Sequence, residues 1–426
     1  MTAAMPDPRD RALLARLFEA AVRAADPARA MASVLPPRPR GRTVVVGAGK
    51  GAAEMARALE TLWDGPLSGV VVTRHGQAAP TACIRVMEAA HPLPDAAGLA
   101  ATAALFEAVS GLGPDDLVIA LVSGGGSALL PAPPPGLTLG DEIALNSALL
   151  ASGAPISAMN AIRKQVSGVK GGRLAAAAHP ARVVSLVVSD VPGDDPAEVA
   201  SGPTVPCARD RTAALAAAGA WRIALPDRIH DYLATAPEDA PDPSDPGFAG
   251  DTVHIIASAR QSLEAAQAAA ADAGWRAVIL SDAIEGEARE AGRVLAAIAR
   301  EIAARDRPFA RPVILLSGGE TTVTLGKGAG RGGRNTEFLL SLALALDGTE
   351  GVSALAADTD GIDGSERNAG AFADGTTGAR LRSLGEDPAR LLARHDAWSA
   401  FDALGDLFSP GPTGTNVNDF RAILLR

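Results

Sequence analysis

Four lysines stand against thirty-five arginines in this chain: Lys50, Lys164, Lys170 and Lys327. Three of the four adjoin a glycine. An ammonium is a compact point charge that suits a phosphate oxygen, whereas a guanidinium is a planar fork, so lysine kept inside glycine loops points to anion binding. Lys50 occupies the clearest such place. In Thr43–Arg57, TVVVGAGKGAAEMAR, a β-branched run ends at Val46, a glycine turn follows with Gly47 and Gly49, and an alanine-rich segment of helical spacing comes next. A strand, a glycine turn and a helix together point backbone N–H groups at an anion. Further positive charge lies at Arg163-Lys164, at Lys170-Gly171-Gly172-Arg173, and from Lys327 through Arg331 to Arg334. A charge run is ordinarily a solvated helix face, but glycines interleaved beside strand ends favour anion binding.

Carboxylates cluster in comparable turns. Asp190 and Asp194 flank Val-Pro-Gly, and Asp358, Asp360 and Asp363 share a second turn. Near phosphates such groups suit Mg²⁺, which takes one or two carboxylates plus phosphate and water oxygens. The alternative is that each Asp makes an Asx-turn with its own backbone. His91 precedes a proline and reads as structural. No Walker A pattern occurs, and no Ser-His-Asp arrangement or metal-spaced histidine pair is legible. Gly47-Ala48-Gly49 begins a dinucleotide fingerprint, but the third glycine falls at Gly51 instead of position 52. The second strand ends at Thr73-Arg74 without the carboxylate that holds an NAD ribose, and Arg74 could accept the 2′-phosphate of NADP.

The elements that position these groups alternate strand and helix. Strands are expected at Thr43–Val46, Gly69–Thr73, Ile84–Ala89, Asp116–Val122 and Val183–Val188, with helices between them, including one over Ala158–Ala177. This pattern predicts a parallel α/β sheet with helices on both faces and ligands at the strand carboxyl ends. A lead-in amphipathic helix spans Arg9–Ala25. After the acidic, proline-rich Pro237–Gly250 the alternation restarts, with strands at Val253–Ser258, Trp275–Ser281, Pro312–Leu316, Thr321–Leu325 and Ser353–Ala357. The domain boundary is therefore expected near 240, with domains 1–240 and 241–426. VIALVSGGGS at 118–127 and VILLSGGET at 313–321 look like two versions of one strand–glycine loop.

The 426 residues carry a net charge of −10, which argues against nucleic acid or an anionic membrane as partner. Aromatic residues make up 3%, so the cores must be built from Ala, Leu and Val. Cys83 and Cys207 form no metal spacing and no disulfide framework. No signal-peptide pattern or membrane-spanning run is present, and the chain reads as a soluble cytoplasmic protein.

The motifs in order resemble the class II glycerate kinases, the glycerate 2-kinase family with a C-terminal MOFRL region. They are GAGKGAAEM at 47–55, HPLPD at 91–95, SGGGSALL at 123–130, NAIRKQVSGVKGGRLA at 160–175, SDVPGD at 189–194 and ASGPT at 200–204. The series continues with SGGETTV at 317–323, GGRNTEF at 332–338, DTDGIDG at 358–364 and TGTNVND at 413–419. The resemblance implies a Rossmann-like N-terminal domain and a smaller mixed α/β domain containing the MOFRL region, about 310–426, with an active site in the cleft between them. It implies transfer of the ATP γ-phosphoryl group to D-glycerate with Mg²⁺, giving 2-phosphoglycerate. Its lysine and arginine map to Lys50 and Arg334, expected to contact the transferring group from opposite domains.

On that expectation Ser123, Gly124, Gly125, Gly126 and Ser127 in one loop, and Ser317, Gly318, Gly319 and Glu320 in the other, hold ATP phosphates or the glycerate carboxylate. Gly47, Gly49, Asn335 and Asn416 line the same site. Arg163, Lys170 and Arg173 add positive charge. Asp190, Asp194 and Asp360 are the Mg²⁺ candidates, with Asp190 also a candidate proton acceptor. The rival activities are an NADP-dependent hydroxypyruvate reductase and a non-catalytic nucleotide sensor.

Overall fold

The computed structural model describes residues 7–207, 210–237, 240–326 and 329–426. The chain divides into two compact units, Pro27–Ile256 and the described part of Met1–Asp26 together with Ala257–Arg426.

The first unit is built on β1 (Thr43–Ala48), β2 (Ser68–Arg74), β3 (Ile84–Ala89), β4 (Leu117–Ser123), β5 (Arg182–Val188) and β6 (Thr252–Ala257). Their order is β3-β2-β1-β4-β5-β6, and the pairings from β3 through β5 are parallel. Every residue of β1 and β4 is buried, as uninterrupted apolar runs require when helices cover both faces. The strand sequence reverses direction between β1 and β4, which opens a crevice at their carboxyl ends. β1 continues two residues past the expected Val46, so Gly47 lies inside the strand. A Cβ there would sit 2.2 Å from the Leu121 carbonyl oxygen, so this glycine serves close strand approach. The single helix expected over Ala158–Ala177 is two helices, Ile156–Gln165 and Arg173–Ala178, separated by a glycine turn.

The second unit contains β7 (Ala277–Ser281), β8 (Gly286–Glu287), β9 (Val313–Gly319), β10 (Thr321–Thr322), β11 (Val352–Asp358), β12 (Gly370–Asp374), β13 (Leu407–Phe408) and β14 (Asp419–Leu425). Six of them form a mixed sheet, β13-β12-β11-β14-β9-β7, parallel only between β7 and β9. β8 and β10 pair separately, so the strand expected over Thr321–Leu325 is cut to two residues.

Two boundaries differ from expectation. β6 follows the proline-rich linker yet lies beside β5, because the linker itself is tied to the first unit. Asp251 takes His179 Nε2 at 2.9 Å and the Val183 amide at 2.8 Å, and Phe248 packs edge-on against His179. The lead-in helix, Pro8–Ala24, belongs to the second unit. Its apolar face of Leu13, Leu14, Leu17 and Phe18 is buried there, with Phe18 edge-on to Phe408 and Phe420 at 5.1 and 5.8 Å. Among the described residues no helix is long and apolar enough to cross a membrane.

Candidate active site

The Gly49–Gly51 turn leaves β1 at the crevice, but its amides bond to the protein itself. Gly49 N–H donates to Val72 O at 3.0 Å, Lys50 N–H to Gly124 O at 2.8 Å, and Gly51 N–H to Ser123 Oγ at 3.0 Å. Gly49 has φ +140°, and a Cβ on it would fall 2.1 Å from Ser123 Oγ. The turn is thus locked onto β2 and β4, and what it offers a ligand is the Lys50 side chain. Among the described residues that ammonium makes no hydrogen bond and no ion pair.

The neighbouring turn behaves differently. β4 ends at Ser123, Gly125 takes the left-handed conformation at φ +82°, and a short helix opens at Gly126. The amides of Gly124, Gly125, Gly126 and Ser127 bond to no described residue, and successive free N–H groups around a left-handed residue make an anion-binding concavity. A Cβ on Gly124 would fall 1.9 Å from Asp190 Oδ2, so the Asp190 carboxylate lies directly against this turn. A Cβ on Gly125 would lie 3.2 Å from both the His91 ring and Lys50 Cγ, so these two side chains meet over the same glycine. Lys50, His91, the 124–127 turn and Asp190 therefore form one constellation.

His91, which the sequence suggested was structural, sits inside it. Burial first, then the positive charges of Lys50, Arg74 and Arg163, push its imidazole down from 6.5 to about 4, so the ring is neutral at physiological pH. Its place just past the end of β3 was the available signal, but nothing in the local pattern showed that three cations would surround it.

Among the described residues none of those cations has a hydrogen bond or ion pair to a carboxylate, though Glu142 acts on Arg163 through space. Arg163, 8% exposed, bonds only neutral amides, with Nε to Asn146 Oδ1 and Nη1 to Asn160 Oδ1, both at 3.1 Å. Burial pulls its pKa down to about 10 although Glu142 opposes the shift. Arg74 is exposed at the end of β2 and has no hydrogen bond or ion pair from its side chain among the described residues. The other basic candidates are committed elsewhere. Lys170 is buried, with Nζ donating to Leu130 O at 2.8 Å and paired with Glu142 at 3.1 Å. Arg173 Nη1 caps the carbonyls of Lys164 and Lys170, each at 3.0 Å. Lys164 pairs with Glu198 at 2.6 Å. Lys170 and Arg173 thus stabilise the glycine turn between two helices. Lys327 lies outside the described residues.

In the second unit the sequence-matched glycines play another part. Ser317, Gly318 and Gly319 are not a loop; they are the end of β9, paired with Arg421, Phe420 and Asp419 of β14. Gly318 O accepts the Ile284 amide at 3.0 Å, and a Cβ on Gly319 would fall 2.2 Å from Ile284 N. Arg334 is held by three carboxylates, with Nε to Asp419 at 2.6 Å and Nη1 and Nη2 to Glu320 and Asp358 at 2.7 Å each. Burial opposes its charge, but Asp419, Asp358 and Glu320 outweigh that and hold its proton more tightly than usual. Burial dominates at Asp358, raising its pKa well above the ordinary value, whereas Arg334 and Arg421 overcome burial at Asp419 and lower it.

Asn335, fully buried, donates from Nδ2 to Asp419 at 2.8 Å and from its amide to Asp363 at 2.9 Å. Asp360 accepts the Ile362 amide at 2.8 Å in an Asx-turn, with Asn416 Nδ2 at 3.5 Å from its other oxygen. Asp194 sits in a turn at φ +55°. Among the described residues no three His, Cys, Asp or Glu side chains gather as a cation site.

A Rossmann strand order, with basic side chains and turn amides that have no described partner at its switch point, defines this as an α/β protein of the doubly wound class. Residues 13–234 match the family described as a domain of unknown function (DUF4147), and residues 313–419 match the MOFRL family. The chain is 39% identical to the D-glycerate 2-kinase of Thermotoga maritima, covering 97% of this chain and 98% of that one, and 38% identical to the glycerate 2-kinase of Pyrococcus horikoshii, covering 95% and 94%. An Agrobacterium vitis relative that bears the name hydroxypyruvate reductase is 54% identical over 97% of this chain and 94% of its own. The crystal structure of Thermotoga maritima glycerate kinase superposes with a TM-score of 0.86 at 37% identity, covering 98% of this chain and all of that one. The chain belongs to the MOFRL-containing glycerate 2-kinase family.

Proposed function

We propose that the protein transfers the γ-phosphoryl group of ATP to the 2-hydroxyl of D-glycerate, releasing ADP and 2-phosphoglycerate. The observation that supports this reading is the gathering of Lys50, Arg74 and Arg163, none hydrogen-bonded or ion-paired to a carboxylate among the described residues, beside four turn amides with no described partner at the β1/β4 switch point. In a chain of net charge −10, such a positive well suits polyanionic substrates.

Phosphoryl transfer asks a protein for positioning and charge neutralisation more than for covalent chemistry. The Gly124–Ser127 amides receive phosphate oxygens, Lys50 meets the charge that develops on the transferring group, and Arg163 holds the glycerate carboxylate. Asp190, pressed against Gly124, is placed to accept the proton of the attacking hydroxyl. As a single carboxylate beside a phosphate turn, Asp190 also fits Mg²⁺, which needs few protein ligands when phosphate and water complete its shell. When bound there, the ion would neutralise phosphate charge. Arg334 uses three of its five N–H donors on Asp419, Glu320 and Asp358, and Glu320, 45% exposed, is the partner most open to exchange.

The test is ADP release with D-glycerate, with the product passed to enolase in the absence of phosphoglycerate mutase. Phosphoenolpyruvate formation identifies the 2-isomer, and ADP release without it refutes the regiochemistry. The relative named hydroxypyruvate reductase, together with the exposed Arg74, motivates a second assay, NADPH oxidation with hydroxypyruvate. The Gly49–Gly51 amides of the fingerprint turn are bonded to the protein itself, which counts against a dinucleotide pyrophosphate there, so no oxidation is expected.

A further inference from the structure

Beside the 124–127 turn runs a chain of polar side chains in which every proton position is determined. Asn160 is fully buried, and its Nδ2 donates to the carbonyl and to Oε2 of Glu198, both at 2.9 Å. Both partners accept only, so the amide orientation is fixed and Asn160 Oδ1 faces the other way. That oxygen accepts from Arg163 Nη1 at 3.1 Å and from Ser201 Oγ at 2.9 Å. Ser201 has one hydroxyl proton, and it is directed at Asn160. Its 2.7 Å contact with Ser127 Oγ must then be donated by Ser127.

The segment that carries Ser201 is unusual in itself. Ala200, Ser201 and Gly202 are consecutive left-handed residues at φ +53°, +60° and +59°, two of them not glycine, and Ser201 is completely buried. Residues held in sparsely populated conformations collect where the surroundings over-determine them, at ligand sites above all. Lys164 on Glu198 Oε1 anchors the far end of the chain.

We infer that Ser201, oriented by Asn160 and Glu198, makes Ser127 Oγ an obligate hydrogen-bond acceptor toward the ligand, so that this position reads a substrate hydroxyl. Ser127 donates its only hydroxyl proton to Ser201, and on this partly exposed residue Oγ is left with lone pairs alone. At Oγ, unlike the Ser127 N–H, a phosphate or carboxylate oxygen is repelled and an aliphatic O–H is accepted. Resting on the kinase reading above, the inference assigns the hydroxyl to the acceptor substrate, as the 3-hydroxyl of D-glycerate, the one not phosphorylated. Ser127 is then a specificity-determining residue and Ser201 a positioning residue behind it.

The experiment compares D-glycerate with D-lactate, which lacks only the 3-hydroxyl, in the wild type, Ser127→Ala and Ser201→Ala. The readouts are the KM for D-glycerate and the inhibition constant of D-lactate, both by ADP release, with 3′-deoxy-ATP and 2′-deoxy-ATP each compared against ATP as nucleotide. One neutral hydrogen bond corresponds to about 3- to 10-fold in binding. Ser127→Ala should raise the D-glycerate KM by about that factor and leave D-lactate inhibition unchanged. Ser201→Ala, which frees the Ser127 proton to point outward, should raise the KM about 3-fold in the same selective way. General damage to the site would weaken both ligands alike, and that result overturns the inference. A selective loss with ATP that disappears with either deoxynucleotide instead assigns the hydroxyl to the ribose and overturns it too. A wild type that releases no ADP with D-glycerate refutes the kinase reading, whereas an active enzyme with unchanged selectivity refutes this inference alone.

Discussion

Lys50→Met removes one charge and keeps most of the side-chain stem. Because the ammonium has no hydrogen bond or ion pair among the described residues, folding stability should change by no more than about 0.5 kcal/mol. The kinetic effect follows from Coulomb's law. A unit charge about 4 Å from the charge developing on the phosphoryl oxygens is worth about 4 kcal/mol at an effective dielectric near 20. Lys50 is partly exposed, so screening lowers that figure, and a loss of about 10²–10³ in kcat is expected. The loss should appear in kcat at saturating ATP and D-glycerate, with little change in KM, since the charge acts mainly as the phosphoryl group moves. Lys50→Arg should recover little, because a planar guanidinium replaces a compact point charge beside the His91 ring. The assay is steady-state ADP release beside a urea unfolding curve. A Lys50→Met enzyme with kcat within about threefold of wild type would refute the reasoning, and so would an activity loss matched by a large loss of stability.

Arg334→Ala should behave in the opposite way, costing about 3–5 kcal/mol in urea unfolding because Asp358 is left buried without its cation and Asp419 keeps only Arg421. Phe18→Ala should cost about 3–5 kcal/mol, since the ring fills the space between Phe408 and Phe420, and a change under about 1 kcal/mol would show that the helix does not pack as described. For His91 the sign follows from the depressed pKa. The folded protein keeps the ring neutral down to about pH 4 while the unfolded chain protonates near 6.5, so the stability this neutrality supports is complete above 6.5 and lost as the pH falls from 6.5 toward 4. His91→Gln should therefore make the stability drop from neutral pH to about pH 5 shallower by about 1–2 kcal/mol, allowing for a partly exposed ring, and an equal drop in both proteins would refute it.

The turn at Lys50 was legible in sequence because strand, glycine turn and helix follow one another locally. What its amides do was not legible, because their acceptors, Val72 O, Gly124 O and Ser123 Oγ, come from other strands. Lys170 and Arg173 show the same limit. Glycine-flanked cations look like an anion site until Glu142, 28 residues upstream of Lys170, neutralises one of them. The two Ser-Gly-Gly strand ends are nearly identical in letters, yet Gly125 turns left-handed into a helix while Gly318 and Gly319 stay paired with β14. The parallel sheet of the first unit was readable from its double-sided apolar runs. β12 and the central place of β14 were not, because an antiparallel sheet built from distant segments leaves no alternating βα signature.

The helix Pro8–Ala24 also bears on how the chain is made. Phe18 meets Phe420 about 400 residues later, with the whole of Pro27–Ile256 between them. At ribosomal rates of about 5–20 residues per second, the apolar face of Leu13, Leu14, Leu17 and Phe18 waits about 20–80 s for its partner strands. During that interval a nascent amphipathic helix is a ready substrate for holdase chaperones. The yield of native enzyme should then depend more on that early face being shielded than on any contact within the Rossmann sheet, which can close before β14 has been translated.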